Sequence, residues 1–280
     1  HLVGKLLNES NNVIVVDNLI TGDVKNTNQF MNFKNFKFIE HDIQESLFID
    51  DKIDHVIHLA SCASPKAYSQ YPINTLKSGS IGTINALGIA KKHNAKFFLA
   101  STSEIYGDPE VSPQNENYWG NVNTLGPRSM YDESKRFAES ATHSYMSTHG
   151  IHTNIARIFN TYGPNMQIDD GRVVTNFIYQ AINGKDITLY GTGSQTRSFS
   201  FIEDTIDGLL RVINYEKSDV FNIGSENEIT IKFLAETIVT LTNSNSKIIF
   251  EELPENDPKQ RKPDLTKAKK LLGYKPKHTL

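Results

Sequence analysis

Short apolar runs with helix-like stretches between them restrict this sequence more than any other feature. Val13-Ile14-Val15-Val16-Asp17, Phe36 to Ile43, His55 to Ala60, Phe97 to Ala100 and Ile151 to Asn160 each read as a strand, and they end on or open into polar and small residues. Ile81 to Asn94 carries apolar residues at helical spacing (Ile81, Ile84, Leu87). Strands separated by helices predict an α/β fold, a doubly wound parallel sheet of the Rossmann type. In such sheets a ligand lies beyond the carboxyl ends of the strands, where the polar residues stand.

The chain begins His1-Leu2-Val3-Gly4-Lys5-Leu6-Leu7, which reads as the body of a helix. In a dinucleotide-binding βαβ unit a strand and a Gly-rich turn precede that helix. Neither is present, and Gly191-x-Gly193 lacks the third glycine of a Gly-x-Gly-x-x-Gly. The expectation is a fragment that starts inside the first helix, or else a protein without its phosphate-binding turn. Asp17, closing the next strand, suits the ribose hydroxyls of NAD, and its charge disfavours the 2′-phosphate of NADP. An Asp capping a loop after a strand accounts for the same residue.

The alternation runs to about residue 165 and then loosens. Helices from about Arg172 to Asn183, Glu203 to Tyr215 and Thr230 to Asn243, with a short strand Ile187 to Tyr190, predict a smaller lobe. The expected division is residues 1–165 as an NAD-binding domain and 166–280 as a C-terminal α/β substrate lobe, with some elements returning to the main sheet. Pro254 to Pro263 reads as a loop holding Lys259, Arg261 and Lys262, and a short basic helix follows from Leu265 to Leu272.

A net charge of −3 gives no reason to expect nucleic acid or a membrane surface as partner. The single cysteine, Cys62, excludes an internal disulfide and suits a reducing compartment. Nine histidines without ligand-like clustering predict no metal. No stretch is long and apolar enough to span a bilayer, and the first residues show no signal-peptide pattern. The expected location is cytoplasmic, or the Golgi lumen if the parent protein carries an anchor upstream of His1.

Catalytic chemistry concentrates between Phe97 and Lys135. The strand Phe97 to Ala100 opens into Ser101-Thr102-Ser103-Glu104, and beyond a polar loop come Tyr131 and Lys135. Four residues apart on a helix, these two lie on one face. An ammonium beside a phenol stabilises the phenolate and lowers its pKa, making Tyr131 a proton acceptor. Thr102 or Ser101 is placed to bond the same substrate hydroxyl. An ordinary surface helix explains the spacing as well.

The segments Ser101–Pro109, Tyr118–Asn123, Tyr131–Arg136, Arg157–Pro164, Asp169–Val174 and Gly193–Phe199, with Asp17, make the pattern specific. Together they resemble the nucleotide-sugar branch of the extended short-chain dehydrogenase/reductases, and within it the UDP-glucuronic acid decarboxylases, also called UDP-xylose synthases. The resemblance implies an NAD-dependent carboxy-lyase. Tyr131, supported by Lys135 and Thr102, takes the proton of the sugar 4-hydroxyl while hydride passes to NAD. The 4-ketone makes the carboxylate at C5 a β-keto acid, which loses carbon dioxide. Protonation at C5 and return of the hydride give UDP-xylose.

Glu104 is placed like the family's carboxylate near the sugar ring, and Arg261 like the arginine that closes over the substrate and steadies the carboxylate and then the enolate. A solvated basic loop and a structural carboxylate are the plainer readings of these two. By the same resemblance Asp17, Asn18, Thr21, Gly22, Asp42, Ile43, Leu59, Ser61, Tyr131, Lys135, Thr161 and Arg172 contact NAD. Lys77, Asn85 and Asn160 stand near the UDP-sugar, and Tyr190, Gln195 and Arg197 form a diphosphate and nucleotide clamp. Lys91 and Lys92 match positions near the sugar nucleotide but are equally suited to solvent.

Cys62 departs from the family, many members of which have Pro there. A nucleotide-sugar 4,6-dehydratase typically has an Asp-Glu pair after the active Thr, where this chain has Ser103-Glu104. A 4-epimerase has no use for Glu104 and Arg261 in these roles, and a non-catalytic nucleotide-sugar-binding protein is the reading from a different class. The family's members usually pair through a helix bundle, which implies a homodimer formed around Ile81 to Ile89 and Phe137 to Tyr145.

Overall fold

The computed structural model describes residues 1–168, 171–252 and 260–280. Asp169, Asp170 and Lys259 of the motifs above lie outside the described residues. Helix α1 (Leu2–Asn8) leads into β1 (Val13–Asp17), a short α2 (Lys25–Asn28) and β2 (Phe36–Glu40). Then come β3 (His55–His58), α3 (Pro65–Gln70), α4 (Pro72–Lys77), a π-helical turn Ser78–Gly82 and α5 (Thr83–His93). Strand β4 (Lys96–Thr102), a 3₁₀ turn Ser103–Tyr106, the long α6 (Ser129–His149) and β5 (Thr153–Ile158) follow.

The second half holds β6 (Thr161–Tyr162), α7 (Val173–Ile182), β7 (Ile187–Tyr190), β8 (Thr196–Ser198) and β9 (Ser200–Phe201). After them come α8 (Ile202–Ile213), β10 (Asp219–Ile223), β11 (Glu228–Thr230), α9 (Ile231–Leu241), β12 (Ile248–Glu251), β13 (Gln260–Arg261) and α10 (Thr266–Leu272).

The central sheet has strand order β10-β5-β4-β3, all parallel. Strand β4 sits inside it and is buried from Phe97 to Thr102. Its side chains alternate between faces: Phe97 and Leu99 join a core with Ala86, Leu87, Ala90 and Ala138 from α5 and α6. Phe98 and Ala100 join a second core with Leu209 and Val212 from α8 and Ala268 from α10. A strand covered on both sides is apolar throughout, which is why this run is so legible; each fully buried Phe or Leu contributes roughly 1.5–3 kcal/mol.

A third core gathers Val174, Phe177 and Ala181 of α7, Ile187 and Leu189 of β7, and Leu234, Ala235 and Ile238 of α9. Strands β1 and β2 form a separate parallel pair. The small sheets β11-β8-β13, β12-β7 and β6-β9 complete the second half.

Several boundaries differ from expectation. Strand β2 stops at Glu40, so Asp42 stands on the turn beyond it. The helix expected from Ile81 starts as the π-helical turn at Ser78, where Gly79 lets α6 approach so closely that a Cβ there would lie 2.6 Å from the Ser134 Cβ. Arg261 is not in a loop: Gln260–Arg261 pairs parallel with β8, setting Arg261 opposite Arg197. Two residues are too few to show an alternation, so the sequence carries no strand signal there. Among the described residues no helix is long and apolar enough to cross a membrane, and no group of three His, Cys, Asp or Glu side chains could hold a metal.

Candidate active site

Strand β4 delivers Thr102 to its carboxyl end, and the Thr102 hydroxyl caps the following turn by accepting the Glu104 amide at 3.3 Å. Gly107 closes that turn at φ 65°, and a Cβ there would lie 1.9 Å from the Asn121 carbonyl oxygen, so only glycine fits. The turn thereby fixes Glu104 facing the start of α6. That helix buries Tyr131, Ser134, Lys135, Ala138, Ala141 and Thr142 along one face. A lysine on a face otherwise made of small and aromatic residues is the anomaly that marks the site.

The Thr102 side chain stands by the Tyr131 phenol and favours its ionised form. Lys135 Nζ donates to the Ala100 carbonyl at 2.9 Å and lies 6.0 Å from the centre of the Tyr131 ring. Lys135 and Thr102, both expected to support Tyr131, thus stand in the phenol's surroundings in different ways. Burial pushes the Tyr131 phenol up to about 12, against the pull of the Thr102 side chain. Burial also brings Lys135 down to about 8, opposed by the Glu139 carboxylate. Its ammonium is spent on a backbone carbonyl instead of the phenolic oxygen. Ser101, the other candidate hydroxyl, donates to Glu139 Oε1 at 2.5 Å and is committed there.

Glu104 is held between two guanidiniums, Nη2 of Arg128 and Nη1 of Arg261. Burial opposes its charge, but Arg261 and Arg128 overcome this and hold the carboxyl down to about 2. Arg261 is only 2% exposed and also donates from Nη2 to the Gly107 carbonyl at 2.9 Å. Arg128 and Tyr68 were missed in the sequence. Arg128 left one signal: a cation at the amino end of α6 opposes the helix dipole, so another partner must hold it. Tyr68, on α3, stacks on Tyr131 with ring centres 5.4 Å apart and planes at 15°; within a six-residue helix it left none.

The residues expected at NAD mostly gather around one cavity of about 1130 Å³. Asp17, Asn18, Thr21, Asp42, Ile43, Leu59 and Ser61 line it, and it continues between β1 and β3 to Leu2 and Leu6. Asp17 Oδ1 accepts the Leu19 amide at 2.8 Å, with Gly22 close by. Asn18 Nδ2 donates to Asp42 Oδ2 at 3.0 Å. The buried Ser61 hydroxyl oxygen has no bonding partner among the described residues. A carboxylate, an amide, a second carboxylate and an unsatisfied hydroxyl fit the ribose and base of a dinucleotide. Among the described residues no Gly-rich turn at a helix start serves the pyrophosphate.

Arg172 Nη2 reaches the Ala63 carbonyl at 3.2 Å, beside this cavity's rim. Thr161 bonds to Thr205 and to the Phe159 carbonyl. On the sugar-nucleotide side, Gln195 Nε2 donates to the Tyr190 carbonyl at 3.0 Å while its buried Oε1 has no partner. Arg197, on β8, stands opposite Arg261 in register. Asn160 bonds to Ser200 through its carbonyl oxygen.

Asn85 stands apart from the others in this group. Its Nδ2 donates to the Ile43 and Glu45 carbonyls, so it braces the turn carrying Asp42 and Ile43 and stands with the cofactor candidates. It sits on the α5 face turned to that turn, a contact its spacing alone does not reveal. Lys77 is exposed at the end of α4, and Lys92 Nζ donates to the Ile49 carbonyl.

A family model described as GDP-mannose 4,6 dehydratase matches residues 1–280. UDP-glucuronic acid decarboxylase 5 of Arabidopsis thaliana is 50% identical over 278 residues, covering 99% of this chain and 81% of that protein. UDP-glucuronic acid decarboxylase 1 of Danio rerio is 49% identical over 276 residues; the match covers 99% of this chain and 66% of that protein's length. Among solved structures, a UDP-glucose 4-epimerase of Thermotoga maritima superposes with a TM-score of 0.92 at 27% identity, covering 100% of this chain and 90% of that one. A Bacillus cereus UDP-glucuronic acid 4-epimerase in complex with UDP-glucuronic acid and NAD gives 0.89 at 27%, with the same coverage. The Tyr131–Lys135 face, the Glu104–Arg261 pair and a near-full-length match at half identity lead to one conclusion: the chain belongs to the extended short-chain dehydrogenase/reductases of the GDP-mannose 4,6 dehydratase model, in the branch of the UDP-glucuronic acid decarboxylases.

Proposed function

We propose that this protein decarboxylates UDP-glucuronate to UDP-xylose through a 4-keto intermediate, using NAD. The observation that carries the reading is the Glu104 carboxylate clasped by Arg128 and Arg261 beside the Thr102–Tyr131 pair. It sets buried cations next to a base, which suits a sugar bearing its own carboxylate.

NAD, when bound, supplies the hydride acceptor, which returns the hydride at the end of the cycle. Tyr131 takes the proton of the sugar 4-hydroxyl, and Thr102, beside the phenol, aligns that hydroxyl. Lys135 keeps positive charge on the face of α6 that carries Tyr131. Arg261 binds the C5 carboxylate and then the enolate left after carbon dioxide departs. Glu104, ionised and doubly bonded, keeps Arg261 from swinging away. Asp17, Asn18, Asp42 and Ser61 hold the adenosine half of the cofactor, and Arg197, Gln195 and Tyr190 the nucleotide of the substrate.

Of the expected homodimer contact, Ile81 to Ile89 and Phe137 to Tyr145, the apolar side chains of Ile81 and Phe137 are exposed. The buried free thiol of Cys62 suits a reducing compartment such as the cytoplasm.

Mass spectrometry of UDP-glucuronate incubated with the protein and NAD tests the assignment: the product should be lighter by carbon dioxide. Tyr131→Phe should lower turnover by ~10²–10⁴ while UDP-sugar affinity holds. Turnover of UDP-glucose or dTDP-glucose with UDP-glucuronate untouched would instead make the protein a dehydratase or an epimerase, and binding without any turnover a binding module.

A further inference from the structure

The peptide that joins Arg261 to Lys262 is bonded at both ends to buried side chains. Its carbonyl accepts the Ser198 hydroxyl of β8 at 3.3 Å. Its N–H donates to Oε1 of Gln114 at 2.9 Å. The two ends of a trans peptide point opposite ways, so β8 and Gln114 hold the chain from opposite edges. Neither Gln114 nor Ser198 has exposed surface. Gln114 also grips the chain through its backbone: its amide donates to the Lys262 carbonyl, and its carbonyl accepts the Asp264 amide, each at 2.8 Å.

Gln114 is anchored in turn. Its Nε2 donates to the Val111 carbonyl at 2.7 Å, and its carbonyl accepts Nδ2 of Asn222, on β10, at 2.9 Å. Asn222 Oδ1 accepts the Tyr106 hydroxyl at 2.9 Å. The root of Arg261 is thereby referred to the central sheet, while Glu104 and the Gly107 carbonyl hold its head. A guanidinium that turns donors toward a substrate carboxylate has fewer left for Glu104. The peptide at its root then sets where it points, because a small rotation there is magnified at the far end of a long side chain.

We propose that Gln114 is a positioning residue for Arg261: its side-chain amide fixes the Arg261–Lys262 peptide, braced from the other edge by Ser198, and so aims the guanidinium at the carboxylate of an acidic sugar nucleotide. Gln114 acts only through Arg261. A neutral sugar nucleotide with the same base and diphosphate offers Arg261 no carboxylate, so its binding is indifferent to this device. The inference rests on the decarboxylase reading and assigns what holds the arginine of that site in place.

Gln114→Met keeps the length of the side chain and removes both its acceptor and its donor. Calorimetric titration of wild type and variant with UDP-glucuronate and with UDP-glucose, each in the presence of NAD, reads the discrimination. The variant should bind UDP-glucuronate about tenfold more weakly and UDP-glucose as the wild type does. Its kcat for decarboxylation should fall by ~10²-fold, as misplacement of a substrate-positioning group does. Ser198→Ala, a smaller change, should shift the same ratio of affinities in the same direction, by about threefold. Equal losses for both ligands in Gln114→Met would leave it a purely structural role and overturn the proposal, as would an unchanged ratio. If that variant does not fold, an unchanged ratio in Ser198→Ala overturns the proposal instead. In each of these cases the wild-type protein still decarboxylates, whereas UDP-glucuronate left unturned by the wild type removes the decarboxylase reading and this inference together.

Discussion

Ionisable side chains that this protein buries set its response to pH, and His58 is the clearest. It ends β3 beneath the cofactor cavity, with Nε2 3.1 Å from the Thr83 hydroxyl, which itself donates to the Gly79 carbonyl. Thr83 Oγ1 is therefore the acceptor, and His58 is held neutral. Burial, followed by the Lys135 charge, brings it from 6.5 down to about 3. Because its folded pKa lies below its unfolded one, the unfolded chain takes the proton first as pH falls. Stability contributed by His58 is therefore full above 6.5 and drains between 6.5 and about 3, at up to ~1.4 kcal/mol per pH unit. Asp132 has the opposite sign, since its carboxyl is raised and stabilises toward low pH. Melting curves of wild type and His58→Asn at pH 7 and pH 5 separate the two. The variant should start lower, by roughly 1 kcal/mol for the lost bond, and lose less on acidification. Parallel declines would show that His58 does not carry the acid sensitivity.

The contact between the π-helical turn and α6 decides where Tyr131 and Lys135 stand. Alanine in place of a helical glycine ordinarily stabilises by about 1 kcal/mol. At Gly79 the new Cβ would meet the Ser134 Cβ at 2.6 Å and its carbonyl oxygen at 2.9 Å, and backbone cannot swing aside. Overpacking of this kind costs typically 1–3 kcal/mol, so the clash wins. Gly79→Ala should lower both Tm and kcat, because Ser134 lies between the two catalytic positions on the same helix. A variant as stable as wild type would show that the helices have room to part.

The same contact explains what the sequence could reveal. Long, doubly covered β4 announces itself through a sustained apolar run. The Tyr131–Lys135 pair and Asp17 were legible because helix period and strand end fix them locally. Glu104 and Arg261 meet across 157 residues through a two-residue strand, and only the resemblance to a family, never spacing, could bring them together. The stacked Tyr68, the second guanidinium of Arg128 and the burial of Asp132 depend wholly on packing between elements.

Parallel strands in an α/β protein normally have neighbours on both edges. Among the described residues β1 is bonded to β2 on one edge, and β3 to β4 on one edge. Their other edges line the same cavity, and Val13 to Val16 are only half-buried despite being wholly aliphatic. His1 Nε2 lies 2.9 Å from the Pro164 carbonyl oxygen, which puts the amino end of α1 level with the loop beyond β5. The two edges face each other across the cavity that Asp17, Asn18 and Ser61 line, so the candidate dinucleotide contacts stand at the carboxyl ends of the strands on either side of it.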